Sequence, residues 1–173
     1  EEYFQVGAFE NCIAKDSWSR LESRVAHATH DLLDLFAEHR VKSTFFCLGW
    51  VAERHAALIK RIVDEGHELA SHGFDHKRVF ELNRVEFRDD LKRTQAILED
   101  VGGVAIRGYR APSFSIDERS PWAHEVLAEL GYCYSSSVYP VKHDHYGVPD
   151  APRTPYKVAD GTLLEIPMTT LLL

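Results

Sequence analysis

Two histidines, His72 and His76, stand four residues apart in Ser71-His72-Gly73-Phe74-Asp75-His76. At that spacing both imidazoles reach one side of a helical turn, or of a tight loop that imitates one, so both can approach a single cation. Neutral imidazole is the commonest protein ligand for zinc-like ions, and an open catalytic site adds a carboxylate and a free position for water. With ten histidines in the chain, the pair alone also fits surface or capping residues. Further on, Arg107-Gly108-Tyr109-Arg110-Ala111-Pro112 places Arg110 just past a predicted strand, where it can brace the rim by hydrogen-bonding carbonyls. His143-Asp144-His145 is either a second functional cluster or a turn capped by its aspartate.

These residues need elements to hold them. Ser17 reads as the N-cap of a long amphipathic helix through Leu21, Val25, Ala28, Leu32, Leu35 and Phe36, as far as His39. Residues 41–48 are β-branched and aromatic, as an interior parallel strand requires, with the Phe45-Phe46 pair in the core. Residues 52–65 return to helical spacing, and Gly66 sits at a C-cap position. A short strand over 67–70 then delivers His72 to a rim. Asn83 and Glu86 form a capping-box start for a helix to about Asp100, which Gly102-Gly103 stops. A strand from Val104 leads into the arginine motif, and Ser120-Pro121 opens a helix that ends at Gly131. A strand over 132–138, a loop over 139–156 and a last strand over 162–168 follow. Residues 1–11 read as the exit from a strand that lies upstream.

Alternation of this kind predicts parallel strands joined by right-handed crossovers, with ligands gathered at the carboxyl ends of the strands. His72, His76, Arg110 and the Ser135 to Ser137 cluster all follow predicted strands, so they are expected at one rim. A chain of 173 residues with 45% hydrophobic content can bury one sizeable core, and residues 1–173 are read as a single domain. A net charge of -7 and the lack of a basic patch argue against a nucleic-acid binder. No protein partner is evident. Cys12, Cys47 and Cys133 are odd in number and widely spaced, and are read as buried thiols. No apolar run has membrane-spanning length, and no leader is visible. Location is almost unreadable, with the cytoplasm slightly favoured over the envelope by the unpaired cysteines. The first residues and the apolar end Thr169-Thr170-Leu171-Leu172-Leu173 suggest a fragment.

Taken in order, Ser43-Thr44-Phe45-Phe46, the His72 and His76 motif and Arg107 to Pro112 resemble the polysaccharide deacetylase family, the NodB-homology or carbohydrate esterase family 4 domain. Within it, Glu2-Tyr3-Phe4-Gln5-Val6, residues 131–140 and residues 143–152 resemble the subgroup encoded with exosortase-linked exopolysaccharide loci. The resemblance implies an α/β fold, a distorted (β/α) barrel with fewer than eight strands, here truncated at both ends. It also implies a divalent metal, zinc before others, and hydrolysis of N-acetyl or related acyl groups from an amino-sugar polysaccharide.

Carried over residue by residue, the resemblance makes His72 and His76 metal ligands and places Glu1 on the metal carboxylate. The base aspartate would precede residue 1, held by Arg110. Ser113 would lie near the backbone N–H that receives the oxyanion, and the acid histidine would follow residue 173. Ser135 stands where the family has an aspartate that tunes that histidine. Such a metal lowers the pKa of bound water and polarises the acyl oxygen, while a base and an imidazolium move the protons. A polymer substrate asks for aromatic stacking surfaces, for which Tyr109, Phe114, Tyr139, Tyr146 and Trp122 are candidates, with His143 beside them. Trp50 and Trp122 read more readily as packing residues. Two other readings remain: a hydrolase of a small cyclic amide, as in allantoin-type members of the superfamily, or a catalytically silent carbohydrate-binding domain.

Overall fold

The computed structural model describes residues 1–171. Leu172 and Leu173, the last of the apolar end, lie outside the described residues. Among the described residues, five α-helices lie against a six-stranded sheet. They are α1 (Val25–His39), α2 (Gly49–Arg54), α3 (Ala56–Asp64), α4 (Arg84–Gly102) and α5 (Ala123–Glu129). The strands are β1 (Thr44–Cys47), β2 (Glu68–Ser71), β3 (Gly108–Tyr109), β4 (Tyr134–Ser135), β5 (Tyr156–Val158) and β6 (Leu163–Glu165), in the order β1-β2-β3-β4-β6-β5. All neighbours are parallel except β5 and β6, which form an antiparallel hairpin. The mixed α/β class with a parallel sheet is the one the alternation predicts. Sequence reading missed β5, because three residues at the end of a long loop are too few to establish an alternation.

The expected first helix is two elements. Lys15–Arg20 forms a 3-10 helix, and α1 begins only at Val25. Ser17 does not cap it; its hydroxyl donates to the Ala14 carbonyl. The cap comes from a distance instead. The fully buried Glu2 carboxylate accepts the N–H groups of Arg24 (2.9 Å) and Val25 (3.2 Å), two of the donors a helix start leaves free. Residues 3–5 and 7–9 are 3-10 turns. The predicted helix over 52–65 is likewise split, at His55, whose backbone (φ -127°, ψ 49°) is not helical. Asn83 and Glu86 do form the capping box, and Gly103 ends α4 with a left-handed φ of 69°.

Leu69, Tyr109 and Leu163 from the sheet pack with Leu33, Ile59, Ile62, Phe87, Leu91, Leu98 and Leu127 from the helices in the main core. Segment 156–165 therefore shares that core through Leu163, which is fully buried. A second cluster under the first turns gathers Phe4, Trp18, Leu48, Trp50 and Val51. The thiols correct the reading from composition: Cys12 and Cys133 are exposed, Cys12 in a turn and Cys133 at the entrance to β4, and Cys47 is half-buried. Gly108 is required by a close approach, because a Cβ there would stand 2.2 Å from the Tyr134 ring lying across it.

Candidate metal centre

His72, Arg110 and Ser136 each follow the last residue of β2, β3 and β4, so the pleat of one sheet brings three motifs to one edge. The His72 loop is not a helical turn. Gly73 (φ 77°) and His76 (φ 68°) take left-handed backbone, and the loop folds back over the start of α2, where Gly49 N–H donates to the Gly73 carbonyl and Trp50 N–H to that of Phe74. Left-handed backbone is costly for a residue with a Cβ, so His76 is held there by its surroundings.

That loop brings the two imidazoles against Glu1. Glu1 Oε2 lies 2.6 Å from His76 Nε2 and 3.7 Å from His72 Nε2. The ring centroids of His72 and His76 are 5.2 Å apart. His72 contacts the Arg110 carbonyl oxygen through Nδ1 at 2.6 Å. Since a carbonyl only accepts, Nδ1 carries a proton, so in the neutral ring Nε2 is the nitrogen left to ligate a cation, and in the charged ring Nε2 donates toward Glu1. Burial would raise the Glu1 carboxyl, but hydrogen bonds from His72 and His76 outweigh it and hold the group far below the ordinary carboxylate range. Burial pushes the His72 imidazole down, toward the neutral form that ligates metals.

One ligand atom from each of Glu1, His72 and His76 lies within 4.8 Å of the others. Two neutral-capable imidazoles and a carboxylate, one ring already oriented by a backbone carbonyl, are a donor set that fits a zinc-like divalent cation and leaves room for further ligands. Glu1 keeps its side chain 36% accessible, so the open side faces solvent.

The Arg110 guanidinium donates Nε–H to the Ser136 carbonyl (3.0 Å) and an Nη–H to the Ser136 hydroxyl (2.8 Å), and lies 4.2 Å over the Phe46 ring. It braces β3 to β4 by the carbonyl contact that its sequence motif allowed. Ser135 is fully buried, with its hydroxyl donating to the Ser137 hydroxyl. The carboxylate of this quarter comes from elsewhere: Glu165, buried at the end of β6, accepts the N–H groups of Ser137 (2.8 Å) and Val138 (2.9 Å) and pairs with His124 at 3.0 Å. Burial would raise that carboxyl, and the bonds from His124 and Val138 hold it lowered. A last strand is read from the sequence here, but nothing in it signals Glu165, whose burial is set by partners far along the chain.

Ser113 and Phe114 follow Pro112 with φ of 52° and 51°, two left-handed residues in succession. The kink sets Ser113 in the wall of the pocket beside His76 and turns Phe114 toward Tyr139 and Tyr146. Tyr146 stacks on Tyr139 (5.5 Å, 5° between planes) and on His143 (4.0 Å, 8°). Four of the six candidate sugar contacts, Phe114, Tyr139, His143 and Tyr146, thus form one aromatic patch. Tyr109 does not join it: it is 1% exposed, wedged between Phe87 and Tyr132, because its place on β3 turns it to the helix side of the sheet. Trp122 packs on Phe87, and Trp50 is buried.

Comparison with known proteins identifies the family of this fold. Residues 16–135 match the family model described as "Polysaccharide deacetylase", and residues 136–173 match a "Domain of unknown function (DUF3473)". A peptidoglycan-N-acetylglucosamine deacetylase of Bacillus cereus is 37% identical over 98 residues, 56% of this chain and 36% of its own length. A chitooligosaccharide deacetylase of Sinorhizobium fredii is 38% identical over 100 residues, 57% of this chain and 44% of its own. The chain thus spans less than half the length of either. Among solved structures, a "putative polysaccharide deacetylase" of Mycobacterium smegmatis superposes with a TM-score of 0.66 at 34% identity, covering 80% of this chain and 44% of that one. A CE4 family pseudoenzyme from Bacillus anthracis gives 0.54 at 26%, covering 58% and 35%. An allantoinase gives 0.65 at 22%, covering 82% and 43%, a likeness of fold alone. With the family model spanning most of it, the chain belongs to the polysaccharide deacetylase family.

Proposed function

We propose that the protein carrying this chain removes N-acyl groups from an amino-sugar polysaccharide at a divalent metal, zinc before others, held by Glu1, His72 and His76. The observation that carries this reading is the meeting of those three side chains at the carboxyl edge of the sheet, within 4.8 Å of one another. When bound, the ion supplies Lewis acidity to an acyl oxygen and to water. The chain's residues do the rest of the positioning. The Arg110 carbonyl fixes the His72 tautomer, and Glu1 keeps its charge between the two rings. Ser113, in the wall beside His76, would offer its N–H to the acyl oxygen, and the Arg110 side chain would orient a carboxylate base. Phe114, Tyr139, His143 and Tyr146 would carry sugar rings by stacking.

The names of the relatives favour N-acetylglucosamine polymers. The motifs at residues 2–6 and 131–152 favour a role in exopolysaccharide biosynthesis. We take residues 1–173 as one folding unit, since β6 pairs with β4 and Leu163 enters the main core. Acetate release from N-acetylated chito-oligosaccharides by the natural full-length protein tests the reading: turnover that His76→Ala abolishes supports it. Hydrolysis of a monomeric cyclic ureide without turnover of the oligosaccharide replaces it with the allantoin-type reading. A silent carbohydrate-binding role is favoured by the likeness to the pseudoenzyme, and glycan binding without acetate release would support that role.

A further inference from the structure

The candidate ligands reach the rim on two separate stretches of chain, and both stretches dock on Trp50. Its N–H donates to the Phe74 carbonyl (2.9 Å), inside the loop that carries His72 and His76. Its ring packs edge-on against Phe4 (5.8 Å between centroids), in the turn that follows Glu1. The histidine loop is held by its own backbone bonds. Glu1 has no such support, since among the described residues its carboxylate meets polar groups only at the two rings. A loose carboxylate loses freedom when a cation takes it, so whatever fixes the segment beforehand strengthens the site.

Glu2 supplies that fixation. Its backbone is extended (φ -79°, ψ 153°), so the side chains of residues 1 and 2 point to opposite sides. Glu1 faces the rim, and Glu2 is turned into the protein and fully buried. Both carboxylate oxygens are occupied: Oε1 accepts the Ser23 hydroxyl, and Oε2 accepts the N–H groups of Arg24 (2.9 Å) and Val25 (3.2 Å) at the start of α1. The Glu2 N–H donates to Gln5 Oε1 at 2.8 Å, and the Gln5 N–H donates to the Glu2 carbonyl at 3.0 Å. Residue 2 is thereby held at its backbone and at its side-chain end, one peptide unit from Glu1.

The same network reaches the histidine loop. The Ser23 hydroxyl has one proton and gives it to Glu2, so its oxygen accepts from His55 Nε2 at 3.1 Å. His55 stands between α2 and α3, and the first residues of α2, Gly49 and Trp50, hold the loop by its carbonyls. A helix start is ordinarily capped by Ser, Thr, Asp or Asn at the N-cap itself. Here that position is Arg24, whose side chain makes no capping bond, and the acceptor is a buried carboxylate beside Glu1. Burying a charge is costly, so its placement at residue 2 rather than residue 24 points to a second task.

We propose that Glu2 is a positioning residue of the metal centre: pinned to the start of α1 and to Ser23, it holds Glu1 within reach of His72 and His76 before a cation binds. The inference rests on the reading of those three residues as ligands.

Zinc affinity is measured on the natural full-length protein, stripped of metal, by competition with a chromophoric chelator, with melting temperatures taken on the same samples. Glu2→Ala removes all three bonds to the carboxylate and is expected to weaken zinc about 10- to 100-fold, as loss of the groups behind a metal ligand does. Glu2→Gln removes the charge but keeps an oxygen for the α1 amides and an N–H for Ser23 Oγ, so its affinity should stay near that of the parent. A loss as large as in Glu2→Ala would assign the effect to charge and overturn the positioning role. Asn83→Ala strips the cap of α4 instead; it should lower the melting temperature and leave zinc affinity unchanged, and an equal loss there would reduce the effect of Glu2 to general destabilisation. In a Glu1→Gln background, Glu2→Ala should weaken zinc no further, because it acts through Glu1, and additive losses contradict that. Ser23→Ala spares the α1 amides and decides the matter if Glu2→Ala unfolds: a smaller loss in the same direction is expected, and none overturns the inference. Folded Glu2→Ala with parental affinity overturns the positioning role, while loss of zinc in His72→Ala/His76→Ala leaves the metal centre standing. A parent that binds no zinc, or Glu1→Gln with parental affinity, overturns the ligand reading and the inference with it.

Discussion

The His72 imidazole is hydrogen-bonded through Nδ1 to the carbonyl oxygen of Arg110 at 2.6 Å. The ligand motif and the arginine motif, thirty-eight residues apart, are therefore joined at the site itself. The bond runs through the Arg110 backbone, while its guanidinium works on Ser136. Orientation of the His72 ring and bracing of the rim are thus separable by mutation.

Arg110→Ala is expected to destabilise the fold by about 2–3 kcal/mol, from two lost charge-assisted hydrogen bonds and the contact over Phe46. Arg110→Lys restores only part, because an ammonium lacks the planar fork. Metal content stays at the parent level in both, since the carbonyl that holds His72 survives. Denaturant titration and elemental analysis of the same samples check the two halves.

Asp90 gives a pH signature from beside the loop that carries His72 and His76. Both its oxygens accept the Phe74 N–H at 3.2 Å, and burial, with Asp75 nearby, pushes its carboxyl up to about 6, against the opposing pull of Arg93 and Lys15. The unfolded chain releases that proton near pH 4. Between about pH 4 and pH 6 the folded state therefore binds more protons than the unfolded one, so this group's contribution falls as pH rises. Asp90→Asn removes the penalty. Its stability relative to the parent should improve by up to about 3 kcal/mol between pH 4 and pH 7, and a flat difference across that range in paired melts would refute the assignment.

Leu163→Ala should cost about 2–5 kcal/mol, as for other large-to-small changes in a core, since Leu163 is fully buried. Unfolding of parent and variant should follow one transition by tryptophan fluorescence and by far-UV dichroism. Two transitions would show that residues 136–173 fold apart from the rest.

Tyr146→Ala is expected to lower glycan affinity by about 0.5–1.5 kcal/mol with little loss of stability, since its stacking partners His143 and Tyr139 lie at the surface and at the half-buried edge. Tyr109→Ala should do the reverse, unfolding the core it fills. Glycan titration beside thermal melts separates the two.

Much of this architecture was legible from the chain. The Asn83 and Glu86 box, the Gly103 stop and the strand-end positions of His72 and Arg110 are local signals, written within a few residues of where they act. The failures involve partners far along the chain. Ser17 looked like a cap, but Glu2 performs that task for α1 across more than twenty residues. Tyr109 looked like a sugar contact because its motif lies at the rim, yet the pleat of β3 turns it inward.

The most direct test is the metal content of the natural protein, purified without chelator, measured by elemental analysis beside the His72→Ala/His76→Ala double variant. Close to one divalent ion per chain, zinc before others, is expected, lost in the double variant while the fold persists. A folded parent without metal, or a double variant that keeps it, would contradict the central claim.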